Sequence, residues 1–158
     1  MLDDYFQNVA IKVHYSTKPE TWFAYGMEVG AEGFDAVGPA TPSARVSEWQ
    51  QAGDSLLWQI IISPERELHF EKLTCYLLIK MEKDLSRKFE WVAAIHKDTG
   101  HHHVHLAIRG VDKAGEEVNF PPDYVKRGLR RRAREIATAQ LGHVLNCPYI
   151  TLRIPPGN

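Results

Sequence analysis

The chain has 158 residues, 44% of them hydrophobic and 25% charged, enough for one well-buried core and too few for two ordinary domains, so a single domain over 1–158 is expected. Its 19 basic and 20 acidic residues leave a formal net charge of −1, which excludes a global pull toward nucleic acid or anionic membrane and requires any such binding to use a local patch. Cys75 and Cys147 form neither a CxxC pair nor a disulfide framework, the start MLDDYFQN is acidic where a secretory signal is basic, and no apolar run approaches the roughly 18 residues of a membrane span, so a soluble, cytoplasmic protein is expected.

In chain order, Asn8 to Tyr15 alternates Val9, Ile11, Val13 and Tyr15 against Ala10, Lys12 and His14, the period of a half-buried strand. Ser16 to Ser47 is rich in Gly and Pro, with TWFAYGMEV its one compact apolar segment, and reads as a short helix or strand followed by a loop. Leu56 to Ser63, LLWQIIIS, is β-branched and reads as a central strand ending before Pro64. A helix over Glu65 to Arg87 follows, with Leu73, Leu77, Met81 and Leu85 on one face. FEWVAAIH and HVHLAIRG read as two strands joined by a turn at KDTGHH. A helix from Asp123 to Leu141 carries the apolar stripe Val125, Leu129, Ala133, Ile136, Ala137 and Leu141 and stops at Gly142, and YITLRI forms a last short strand. Hairpin-joined strands with helices between strand groups predict an α+β fold, a mainly antiparallel central sheet flanked by helices.

The stretch WVAAIHKDTGHHHVHLAIRG, Trp91 to Gly110, places five histidines and an aspartate between two apolar strands. Side chains alternate along a strand, so His103 and His105 share one face while Val104, Leu106 and Ile108 share the other. His96 ends the preceding strand, and cross-strand Cβ atoms lie only about 5 Å apart, so a third imidazole reaches the same point. Three neutral imidazoles with open positions suit a catalytic metal site better than a closed structural one. Asp98 and His101 are the candidate outer partners of the ligand rings. An isolated histidine is ordinarily a satisfied surface or core residue; the combined pattern His96-x-Asp98-x-x-His101-x-His103-x-His105 is far more specific.

That pattern resembles the metal-binding motif of conjugative relaxases, the mobilisation nucleases of the HUH superfamily, and in particular the HxDxxHxHxH of the plasmid and Ti-type relaxases. The likeness continues through AIRGVDKAGEEVNFPPDYVKRGLRRRAREIATAQLG downstream and DSLLWQIIISPE upstream, covering about Trp22 to Gly142. The resemblance implies an HUH relaxase-like fold and a nickase that cuts one DNA strand at an origin of transfer through a 5′-phosphotyrosyl intermediate, with Mg or Mn as the working ion. Its partners would be single-stranded DNA carrying a specific nick site and accessory mobilisation proteins. WFAYGMEVG is similar to the family's N-terminal motif and puts Tyr25 at the nucleophile, with Glu28 at or beside the place of the motif's arginine; Tyr15 is the second candidate and His14 the third.

Three imidazoles by themselves also suit Zn, Ni or Cu, so a purified sample could carry one of these. Substrate binding needs local positive charge, and Lys126, Arg127, Arg130, Arg131, Arg132 and Arg134 crowd one helix as a candidate phosphate track, although such runs are often merely solvated. Trp22, Trp49, Trp58 and Trp91 are candidates for base stacking, the last two more naturally core. Two other readings fit the same residues: an HUH nickase of the replication-initiator type, and a metal-binding DNA-binding protein or metal-dependent hydrolase without strand transfer.

Overall fold

The structure, a computed structural model, describes residues 7–24, 27–97 and 100–141. Six strands form one sheet: β1 (Val9–Ser16), β2 (Gly33–Phe34), β3 (Pro39–Ala40), β4 (Leu57–Pro64), β5 (Trp91–His96) and β6 (His103–Arg109), in the order β1-β4-β6-β5-β2-β3. Every pairing is antiparallel. Three α-helices flank it: α1 (Pro42–Gln51), α2 (Phe70–Leu85) and α3 (Leu129–Leu141). This is the expected α+β architecture. The expected YITLRI strand lies outside the described residues.

The pairing register decides which side chains share a face. His96 pairs with His103, Ala94 with His105, Ile61 with His105, and Lys12 with Ile61. Partners across a ladder point the same way, so these residues and their i±2 neighbours make one face. The other face carries Val9, Ile11, Trp58, Ile60, Ile62, Val104, Leu106 and Ile108, on which α2 and α3 pack to form the main core with Leu73, Leu77, Met81, Leu129, Ala133 and Ala137. A smaller core covers part of the histidine face, where Val46 and Trp49 of α1 join Trp22 and Met27 over Leu57, Val92 and Ala107.

Three element boundaries differ from the sequence expectation. Helix α2 begins at Phe70 rather than Glu65, because the His69 ring caps it by accepting from the Lys72 backbone N–H, and it ends where Ser86 turns left-handed at φ 53°. The segment before α3 is a π-helical turn, Tyr124–Gly128, in which glycine lets the Tyr124 ring lie against the backbone where a Cβ would clash. The region expected to be one short element and a loop contains the β2–β3 hairpin and α1. Helix α1 has only Val46 and Trp49 as large buried residues, so its periodicity is faint, yet Thr41-Pro42 at its start is a helix-initiation signal.

Ion pairs tie the loops to this frame. Arg109 grips Asp54 through two nitrogens, at 2.7 and 2.9 Å, and Glu90 through a third at 2.7 Å, locking the loop after α1 to β6. Gly110 follows directly, its α-carbon so close to the Leu56 carbonyl that no side chain would fit.

Candidate metal centre

The β5–β6 hairpin brings three imidazoles to one point. His96, His103 and His105 lie with ring centroids 5.1, 4.3 and 4.8 Å apart, and one nitrogen of each falls within 4.8 Å of the others. His105 is buried and the other two are half-buried, so the cluster has a protein side and a solvent side. Three nitrogen donors with an open side fit a divalent ion that also binds water or substrate oxygen.

The surroundings leave two of the rings able to act as ligands. His103 Nδ1 lies 3.0 Å from the His101 carbonyl, which can only accept, so the proton sits on Nδ1 and the Nε2 lone pair is left for a metal. His101 thus acts through its main chain, while Asp98 lies outside the described residues. Burial pushes the His105 pKa down to about 4, the charges of His96 and His103 push the same way, and Glu28 opposes them, so this ring is neutral at neutral pH. His102 turns away from the cluster and bonds Glu67 at 2.7 Å, fastening the turn before β6 to the loop before α2.

Beside His105 the same face opens into a cavity of about 290 Å³ lined by Lys12, His14, Met27, Gln59, Ile61 and His105. Of the three nucleophile candidates, His14 is on this face. Tyr15 is on the other: strand alternation turns its ring toward Trp58, at a centroid distance of 5.3 Å, and the register does not bring it to the histidines. Tyr25 lies outside the described residues.

Residues 43–140 match the family model described as "Relaxase: MobA/VirD2-like, nuclease domain", more than half of the chain and all of the hairpin that bears the histidines. The chain belongs to this relaxase family. Membership indicates a DNA-nicking enzyme. No curated protein and no solved structure matches the chain.

In this relaxase domain the basic helix and the histidines are not brought together. Helix α3 packs on α2 and β1 in the layer behind the sheet; Lys126 and Arg127 of the π-helical turn before it and Arg130 and Arg131 of α3 are exposed, and Arg134 is half-buried. Arg132 is committed to Asp84, at 2.9 and 2.8 Å, and Arg127 lies 3.6 Å from Asp123. The four tryptophans are all buried, Trp22 and Trp49 in the smaller core, so none presents an open face for base stacking. Sequence reasoning overlooked Glu67 and Gln59. Nothing local marks Glu67, but Gln59 is the one polar residue inside LLWQIII, and that interruption is a readable sign of a strand position facing something other than core.

Proposed function

We propose that this relaxase domain is a metal-dependent single-strand DNA endonuclease and transesterase that nicks at an origin of transfer and keeps the cut strand as a 5′-phosphotyrosyl link to Tyr25. The observation that carries the reading is the histidine triad on an open part of the sheet face, in a chain that matches a relaxase nuclease domain. A divalent ion held by His96, His103 and His105, Mg or Mn in use and Zn, Ni or Cu as alternatives in a purified sample, would polarise the scissile phosphate and neutralise charge developing on it.

The chain's own residues do the rest. The Tyr25 oxygen attacks phosphorus, the bond from phosphorus to the 3′ oxygen breaks, and the 3′ hydroxyl leaves with a proton while the 5′ phosphate stays on tyrosine. Attack by a 3′ hydroxyl reverses the step. Tyr25 is favoured over Tyr15 because Met27, two residues on, lines the cavity beside His105, whereas the exposed Tyr15 ring lies beside Trp58 on the opposite side of the sheet. The exposed flank of α3 and of the turn before it, Lys126, Arg127, Arg130 and Arg131 with Arg134 beside them, would take phosphates once the strand has rounded the β1 edge, which α3 adjoins through the bond from the Gln7 N–H, just before β1, to Thr138 Oγ1 at 2.9 Å. A specific nick site and accessory mobilisation proteins on a plasmid would complete the system.

The test is incubation with Mn or Mg and a single-stranded DNA pool, followed by denaturing electrophoresis. A protein–DNA band is expected from the unaltered chain and is expected to vanish in Tyr25→Phe and His103→Ala. No band from any version that still binds metal would reject strand transfer and favour a metal-dependent hydrolase.

A further inference from the structure

We infer that the cavity beside the triad is the seat of one nucleotide of the bound strand, gripped at its phosphate by Lys12 and at its base by His14 and Gln59. The inference rests on the reading that single-stranded DNA crosses the histidine face. Lys12 is in line with His105 across two ladders, through Ile61, and His14 is its i+2 neighbour on the same side of β1. Both side chains are exposed, while Arg109, the other cation on these strands' shared face, is spent on Asp54 and Glu90. Positive charge on this face of the strands is therefore supplied from the edge strand, not from α3.

The lining fits a nucleotide in its chemistry. Ile61 offers apolar surface to a base, buried Met27 closes the cavity behind it, and the His14 ring offers a stacking partner. Gln59 offers both an amide donor and a carbonyl acceptor, the pair that a base edge presents in return. A volume of about 290 Å³ lies at the small end of the roughly 300–1,000 Å³ of ligand pockets, which suits one nucleotide rather than several. The larger cavity, about 630 Å³ between the β2–β3 segment and α2, sets Glu32, Asp35 and Glu71 against Lys72 and Lys97, a lining ill-suited to a phosphate chain.

The experiment is fluorescence polarisation of a labelled single-stranded DNA pool in EDTA, so that no cleavage intervenes. The proteins are the unaltered chain, Lys12→Gln/His14→Ala, Gln59→Leu, and Lys83→Gln, which removes an equal charge from α2 on the far side. Circular dichroism checks that each is folded. The double variant is expected to bind about 10-fold more weakly, with the slope of log affinity against log salt shallower by about 0.7 for one lost phosphate contact. Gln59→Leu is expected to lose about 5-fold with the slope unchanged, and Lys83→Gln to bind like the unaltered chain. Tight binding by the unaltered chain with equal affinity and slope in the double variant would overturn the nucleotide seat and leave the nicking reading standing, as would an equal loss in Lys83→Gln. No binding by the unaltered chain would overturn both.

Discussion

The same strands build both faces of the sheet, and the two faces are put to opposite uses. On the helix side, Val9, Ile11, Ile60, Ile62, Val104, Leu106 and Ile108 meet two helices and exclude water. On the other side Leu57, Val92 and Ala107 are capped; His14 ends the row of Val92 and Ala107 at β1, the next row joins Lys12 to His105, and the one after it pairs His103 with His96. Because neighbouring residues point opposite ways, Val104 can be core while His103 and His105 on either side of it are not. The histidine cluster is thus carried on strands whose other side is core.

If the faces are separable in this way, damage to one should leave the other measurable. The largest effect is expected from Leu77→Ala, which opens a cavity in the main core and should cost about 2–5 kcal/mol in urea unfolding, while divalent-ion affinity below the transition stays within about 2-fold of the unaltered value. A folded Leu77→Ala protein that had lost its metal site would break the comparison. The converse is His103→Ala: calorimetric titration with Zn or Mn should show affinity lower by more than about 100-fold, since loss of an outer partner alone costs 10–100-fold. Its urea stability without metal should change by no more than about 1 kcal/mol.

Acid should distinguish the faces by where stability is lost. His105 has an ordinary value of 6.5 and a folded value of about 4, so above 6.5 the ring is neutral folded or unfolded and contributes nothing. Below 6.5 the unfolded chain binds a proton that the folded chain refuses, and stability of the metal-free protein should fall between pH 6.5 and about 4. On the helix side, hydrogen bonds from Arg132 and Tyr124 hold Asp84 below its ordinary 3.8, although its own burial opposes them. That contribution is complete above pH 3.8 and is lost only under stronger acid. Thermal melts in metal-free buffer should show the upper step shrink in His105→Leu and persist in Asp84→Asn. The smallest effect should come from Glu67→Gln, which weakens the 2.7 Å bond to His102 and should lower metal affinity by about 10-fold or less, read by the same titration.

Much of this was legible in the residue order. The alternation of HVHLAIR fixed both the shared face of His103 and His105 and the burial of Val104, Leu106 and Ile108, and the spacing of Leu73, Leu77 and Met81 marked the helix that covers them. What could not be read was the layer in which a helix sits. The arginines of α3 are plain in the sequence, but whether they flank the histidines depends on the strand order β1-β4-β6-β5, which arises from long-range pairing with no local signal. For the same reason, although alternation set Tyr15 and His14 on opposite faces, which of them shares the histidine face could not be read until the β1–β4 and β4–β6 registers were known. Helix α1 was missed because a helix lying over a small core needs few apolar residues.

The most direct measurement is peptide mapping by mass spectrometry of the covalent adduct formed with Mn and single-stranded DNA. The predicted result is nucleotide mass on the peptide containing Tyr25, the candidate whose neighbour Met27 borders the histidine face. Nucleotide mass on Tyr15, whose ring packs against Trp58 on the helix side, would contradict the division of the sheet into a working face and a supporting one.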